Sequence, residues 1–196
     1  MSKYQEVETK HRLLNSAEVI RRLIELKCEH ILTDECQTDT YYTPPHRDFL
    51  ANDIVSEWLR IREANGRCSI NFKQWLPIGA EIQNRCDEYE SAVSDAFAVK
   101  RILCLLDFRE IAVVKKKRNS WMFQGVEISI DEVEGLGTFI ELEAAETVRE
   151  DKIDEQYKRF AEMLDVLDAR TSPRDRRGYP YQIIELAGKQ GEGNVF

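Results

Sequence analysis

The sequence predicts an α+β protein built on a large antiparallel sheet or barrel, with helices packed outside it. Three observations carry this expectation. Nine segments read as strands, many of them alternating apolar and polar residues. Asn65-Gly66, a dipeptide that accepts positive φ at both positions, separates two of these segments as a tight hairpin would. Stretches with helical spacing interrupt the strands at only a few places.

The strand segments are Tyr4–Arg12, Ile31–Thr43, Ile54–Glu63, Arg67–Trp75, Ile82–Glu90, Glu110–Asn119, Trp121–Gln124, Val126–Val133 and Gly137–Ala144. Further turns are expected around Asn119–Gly125 and at Glu134-Gly135-Leu136-Gly137. A first helix should start at Asn15, with Glu18 completing a capping signal and Val19, Ile20, Leu23 and Ile24 on its apolar face. A second spans Ser91–Leu106, burying Val93, Ala96, Phe97 and Leu103. The strongest is Thr147–Asp168, where Ile153, Tyr157, Phe160, Ala161, Leu164 and Leu167 recur at helical spacing and Ser172-Pro173 marks the stop. A short helix around Tyr181–Leu186 and a frayed, glycine-containing Gly188–Phe196 complete the chain.

The chain has 196 residues, 42% hydrophobic and 33% charged, which suits one globular domain over residues 1–196. Its core should run over 1–171, followed by a partly flexible segment at 172–196. No apolar run approaches the roughly 18 residues that span a bilayer, and Met1-Ser2-Lys3-Tyr4 does not read as a signal peptide. A cytoplasmic protein without membrane partners is expected. The net charge of -8 argues against a general nucleic-acid binder. Five scattered cysteines (28, 36, 68, 86 and 104) lack metal-ligand or disulfide spacing and read as reduced, mostly packed thiols. His11, His30 and His46 share no ligand spacing either and read as structural or surface residues.

Charge placement is the informative feature. Glu6, Glu8 and Lys10 share one face of the first strand, Arg60 and Arg62 one face of another, and Lys73 follows Ile70 and Phe72. Glu88 with Glu90, Lys116 with Arg118, and Glu141 with Glu143 form further doublets, and Asp131 follows Ile128 and Ile130. A spacing of two puts each doublet on one side of its strand, about 6.5–7 Å apart. If helices cover the apolar faces, these charges either meet solvent or converge inside a barrel. A solvated face with weak surface ion pairs is the plainer alternative. Convergence gains weight because the doublets are nearly free of Ser, Thr, Asn and Gln.

A converging set has an evident chemistry. Lys10, Arg60, Arg62, Lys73, Lys116 and Arg118 can bracket an extended polyanion, with arginine gripping phosphate oxygens in bidentate fashion. Seven carboxylates exceed what salt bridging needs, and their hard oxygens suit Mg²⁺ or Mn²⁺. Choosing Lys116 over Lys115 or Lys117 rests on its alternation with Arg118 and would be reversed by a one-residue slip.

At these residues the chain resembles the CYTH, or triphosphate tunnel metalloenzyme, family. The resemblance starts at the ExExK motif, Glu6-Val7-Glu8-Thr9-Lys10, and continues through Leu59-Arg60-Ile61-Arg62, Asn71-Phe72-Lys73 and Glu88-Tyr89-Glu90. It extends through Lys116-Lys117-Arg118, the Asp131 segment and Phe139-Ile140-Glu141-Leu142-Glu143. Gln37-Thr38-Asp39-Thr40-Tyr41-Tyr42 and His46-Arg47-Asp48-Phe49 look like its class IV adenylyl cyclase branch. The resemblance implies an antiparallel eight-stranded tunnel with a charged lumen that takes a nucleotide or other triphosphate with Mg²⁺ or Mn²⁺. It implies metal-binding roles for Glu6, Glu8, Asp131, Glu141 and Glu143, and phosphate-binding roles for Lys10, Arg60, Arg62, Lys73, Lys116 and Arg118. Lys10, Glu6, Glu8 and Arg118 would be the catalytic set. Glu88 and Glu90 match the pattern and bind either metal or basic neighbours. The implied activity is conversion of ATP to 3′,5′-cyclic AMP and pyrophosphate. Hydrolysis of inorganic or thiamine triphosphate is the alternative, and a non-catalytic triphosphate-binding module a third. The cyclase branch also suggests a homodimer. Arg174, Arg176 and Arg177 could cover one tunnel mouth, although a solvated loop is the plainer reading.

Overall fold

A computed structural model describes residues 5–175 and 177–192. The strands are β1 (Gln5–Glu6), β2 (Glu8–Arg12), β3 (Glu29–Thr43), β4 (Glu57–Ala64), β5 (Arg67–Leu76), β6 (Arg85–Val93), β7 (Arg109–Phe123), β8 (Val126–Val133) and β9 (Gly137–Ala144). They form one antiparallel sheet in the order β1-β6-β5-β4-β3-β7-β8-β9-β2. Only Val7 separates β1 from β2, so these two make one interrupted strand and the sheet has an eight-stranded layout. That single segment also supplies both ends of the order, pairing with β6 through Glu6 and with β9 from Glu8 onward. The curled sheet therefore has both edges occupied by the stretch that carries ExExK.

Local chemistry explains the tight turns. Asn65 and Gly66 have φ of 47° and 75°, and Ala64 pairs with Arg67, as a two-residue hairpin requires. Gln124-Gly125 closes the next such hairpin, between β7 and β8. The two segments expected on either side of Asn119 form one continuous strand, because Ser120 pairs with Ser129 and Trp121 with Ile128 without a break.

Among the described residues four α-helices surround the sheet: α1 (Ser16–Glu25), α2 (Ala96–Leu105), α3 (Ile153–Val166) and α4 (Gly178–Glu192). On one side, Val19 and Leu23 from α1 and Phe160, Met163 and Leu164 from α3 bury the outward residues Ile128, Ile130, Ile140 and Leu142. Those four residues alternate with Ser129, Asp131, Glu141 and Glu143, so covering them turns the polar set to the other side of the sheet. A smaller cluster holds α2 against β4 through Ala96, Leu103 and Ile61. α4 packs Tyr179 among Tyr41, Trp58, Val114 and Phe139.

Several expected boundaries shift. Asn15 precedes α1 but makes no side-chain cap; its amide instead donates to Asp168 O and accepts from Arg170 N, tying α1 to the end of α3. Ile24 is exposed. The segment at Ser91 stays in β6, and α2 begins after Asp95, whose carboxylate caps Ala98 N at 2.9 Å. Phe97, expected inside, is 74% exposed because it follows buried Ala96 and turns to the far side of the short helix. The helix expected from Thr147 begins with a 3₁₀ turn at Glu150–Lys152, and Ala161 is exposed while Met163 packs inside. The last helix is much longer than Tyr181–Leu186, since α4 extends through Gly188 to Glu192, where a frayed tail was expected; residues 193–196 lie outside the described residues. All five cysteines are free, but only Cys86 is buried and Cys36 and Cys104 are exposed. No described helix is long and apolar enough to cross a membrane.

Phe160 is 1% exposed and joins α3 to the covered face of the sheet. Phe160→Ala should destabilise the fold by about 3–5 kcal/mol. Chemical denaturation would measure this, and a loss below about 1 kcal/mol would mean that α3 contributes little to the core.

Candidate active site

The inward face of the curled sheet encloses a cavity of about 420 Å³. Every charged residue singled out by alternation lines it except Asp131, which is fully buried behind the lining. Lys116 has 3% side-chain exposure and points inward, while Lys117 is half-exposed and pairs with Asp34 and Glu132 outside.

Four of the six cations divide between two buried aspartates. Arg62 donates through Nε and Nη2 to the two oxygens of Asp39, both at 2.7 Å, and Arg60 reaches Asp39 at 3.4 Å. Burial alone would raise the Asp39 pKa, but the two guanidinium groups overcome it and hold the carboxyl well below the usual carboxylate range. Arg118 grips Asp131 in the same bidentate way at 2.7 Å, and Lys116 Nζ adds a third contact at 2.9 Å. Asp131 is likewise held far down: burial opposes ionisation, and Arg118 and Lys116 outweigh it. Lys116, surrounded by protein and next to Arg118, drops to about 8. Arg60 Nε is buried without a hydrogen-bond partner among the described residues.

The carboxylates behave differently. Glu8, Glu141 and Glu143 present oxygens that all lie within 4.8 Å of one another. β2 and β9 cause this crowding, since Glu8 pairs directly with Glu143 and Lys10 with Glu141. Glu141 is drawn down to about 2: burial works against it, but Arg118 and Lys116 prevail, and Arg118 approaches to 3.2 Å. Burial, joined by Glu141 and Glu6, raises Glu8 despite the opposing pull of Lys73 and Lys10. Glu143 is raised strongly by burial and by Glu6, Glu8 and Glu141. Three crowded hard-oxygen donors with insufficient protein cations fit a small divalent metal ion.

The remaining expected residues take distinct places. Glu6 accepts from Lys73 Nζ at 2.7 Å, and the same ammonium stands 3.5 Å from Glu8 and from Glu88. Glu88 accepts from Asn71 and lies beside Lys73 and Arg60, so it sits among basic neighbours rather than in the carboxylate trio. Glu90 is exposed at the rim and accepts from Ser69 Oγ at 2.7 Å. Arg174 and Arg177 line the cavity. Arg174 donates to Glu8 O and to Tyr157 Oη. Arg176 lies outside the described residues.

Asp39 and Tyr179 were missed as site residues by alternation of charges. Asp39 is an isolated acid in a Thr- and Tyr-containing strand, so no doublet marks it; its signal is its place two residues before Tyr41 on one strand face. Tyr179 donates to Asp131 Oδ2 at 3.0 Å, and its ring lies 4.3 Å from Lys10 Nζ and 5.2 Å from Lys116 Nζ. It arrives from α4, and no strand pattern could announce it.

A family model described as the CYTH domain matches residues 4–174. The chain belongs to the CYTH family. A protein of Methanocaldococcus jannaschii, provisionally named an adenylate cyclase, is 32% identical over 186 residues, covering 93% of this CYTH chain and 98% of its own length. A solved Pyrococcus horikoshii protein is 30% identical with a TM-score of 0.75, covering 92% of this chain and 99% of that one. A Hippeastrum protein provisionally named an adenylyl cyclase, and described as revealing a dominant triphosphatase activity, shares the fold, with 17% identity and a TM-score of 0.57 over 93% of this chain and 96% of that one.

The crowding around Glu143 generates a test that needs no ligand. Glu143→Gln keeps the shape and removes one of the mutually repelling carboxylates, so the metal-free variant should melt a few degrees higher than the parent at neutral pH. An unchanged or lower melting temperature in EDTA would mean that the repulsion is already relieved within the protein.

Proposed function

We propose that this CYTH protein is a metal-dependent adenylyl cyclase that converts ATP to 3′,5′-cyclic AMP and pyrophosphate. The observation that carries the reading is one cavity in which a cationic clamp faces three crowded carboxylates. The clamp comprises Lys10, Arg60, Arg62, Lys73, Lys116 and Arg118, and the carboxylates are Glu8, Glu141 and Glu143. That combination matches an extended polyphosphate whose charge is shared between protein cations and a divalent ion.

Glu8, Glu141 and Glu143 would hold Mg²⁺ or Mn²⁺ with Glu6 beside them, whereas Asp131, expected to bind metal, is fully buried with both oxygens taken by Arg118, Lys116 and Tyr179 and would serve those cations instead. The ion, when bound, supplies Lewis-acid neutralisation of phosphate charge. Arg60 and Arg62, oriented by Asp39, would hold phosphate oxygens, as would Arg118 and Lys116, oriented by Asp131. Lys10 and Lys73 complete the grip. In the reaction the ribose 3′-oxygen bonds to the α-phosphorus, the bond from that phosphorus to the bridging oxygen breaks, and the hydroxyl proton passes to solvent. Fixed guanidinium groups would stabilise the charge that builds on the departing pyrophosphate.

Triphosphate hydrolysis is the second reading. It draws support from the dominant triphosphatase activity ascribed to the Hippeastrum protein of the same fold. It would use the same clamp, with water bonding to a terminal phosphorus as that phosphorus's bond to the bridging oxygen breaks, releasing orthophosphate and the shortened phosphate chain.

The test is purified protein with ATP, inorganic triphosphate or thiamine triphosphate, each with Mg²⁺ or Mn²⁺. Cyclic AMP with equimolar pyrophosphate is the expected outcome with ATP; orthophosphate release without cyclic AMP would overturn the cyclase reading in favour of hydrolysis. Glu8→Ala should lower turnover by at least a hundredfold while the circular dichroism spectrum stays unchanged. Full activity in that folded variant would remove Glu8 from the metal-binding set.

A further inference from the structure

The cavity that contains the clamp has an aromatic wall as well. Trp58, Trp75 and Tyr181 line it together with Val55. They join the apolar cluster that α4 completes. The strand period explains why charge and indole meet there: Trp58 lies two residues before Arg60 on β4, and Trp75 two residues after Lys73 on β5. Each tryptophan thus shares the inward face with a clamp cation. The start of α4 closes over the same place, since a Cβ on Gly178 would stand 3.9 Å from Trp58 Nε1.

The wall is also held in position. Trp75 N donates to Ser56 O at 2.7 Å, which fixes the end of β5 against the segment entering β4. Ser56 Oγ accepts from Gly79 N at 2.9 Å and from Gln83 Nε2 at 2.6 Å. The loop at 77–84 is thereby pinned beside Trp75, and Gln83 itself lines the cavity. Preorganised aromatic surface of this kind lowers the ordering penalty for a planar ligand group.

Inorganic triphosphate is anionic along its whole length and gains nothing from an indole face. A nucleoside triphosphate joins the same anion to a flat heteroaromatic ring. The cavity volume of about 420 Å³ lies in the range that holds an organic ligand.

We propose that Trp58, Trp75 and Tyr181 form the site for the heteroaromatic group of a nucleoside triphosphate, and that Trp75 and Tyr181 set the preference for such a substrate over inorganic triphosphate. This rests on the reading of the cavity as a triphosphate site. Trp58 is 7% exposed and forms the packed floor, whereas Trp75 and Tyr181 are only partly buried and offer surface to a ligand.

The test is titration calorimetry on the full chain with α,β-methylene-ATP and with inorganic triphosphate, using Ca²⁺ in place of Mg²⁺ to suppress turnover. The parent should bind the nucleotide analogue more tightly. Trp75→Ala and Tyr181→Ala should each lower the ratio of the two affinities by about tenfold, the scale of one lost stacking contact. Thermal melts confirm that each variant is folded, and either folded variant suffices. A ratio unchanged within twofold, even with a lower melting temperature, would make the aromatic wall core packing and overturn the proposal. If the parent binds triphosphate without preferring the analogue, the aromatic assignment alone falls. If it binds neither, the triphosphate reading falls and takes this proposal with it.

Discussion

The rest of the structure depends on where the sheet is covered. α1 and α3 bury Ile128, Ile130, Ile140 and Leu142 on one face, and strand alternation then leaves Asp131, Glu141 and Glu143 no choice but the concave face. The same logic on β4 buries Ile61 under α2 and sends Arg60 and Arg62 inward. Charges concentrated in this way lose much of their hydration, and a buried charge must be paired or it becomes a large penalty. Apolar packing outside and charge pairing inside are therefore two consequences of one alternating pattern.

The pairing is deliberately incomplete in a chemically useful direction. Asp39 and Asp131 each neutralise part of a cation pair and fix its geometry through bidentate contacts at 2.7 Å. Glu8 and Glu143 receive too little compensation, and burial with mutual repulsion raises both. The interior is thus divided into oriented arginines and a crowded carboxylate trio. A phosphate chain and a divalent cation together complement both halves, and each would relieve charge that the protein alone leaves exposed to its own field. The net charge of -8 says nothing against such a ligand, because local arrangement, not the sum, decides what an enclosed site binds.

Much of this was legible in the sequence because strand periodicity is short-range. Arg60 and Arg62, or Glu141 and Glu143, declare a shared face from spacing alone, and Asn65-Gly66 declares the turn that sets their neighbours' register. Features that depend on distant packing were not legible. Phe97 looked like a core residue but lies on the uncovered side of α2. Asn15 looked like a cap but serves residues 168 and 170. Tyr179 reaches Asp131 only because α4 folds back across the sheet, a contact that spans 48 residues. Asp39 needed its partner strand to reveal its role, since its meaning comes from facing Arg62.

On the proposed reading, the two halves of the interior would together bind one metal-bearing triphosphate. A crystal structure with α,β-methylene-ATP and Mn²⁺, phased to reveal anomalous scattering, tests it most directly. The expected result is a manganese peak within coordination distance of Glu8, Glu141 and Glu143, with phosphate oxygens on Arg60, Arg62, Lys116 and Arg118. Manganese bound elsewhere, or a nucleotide whose phosphates avoid those four cations, would contradict it.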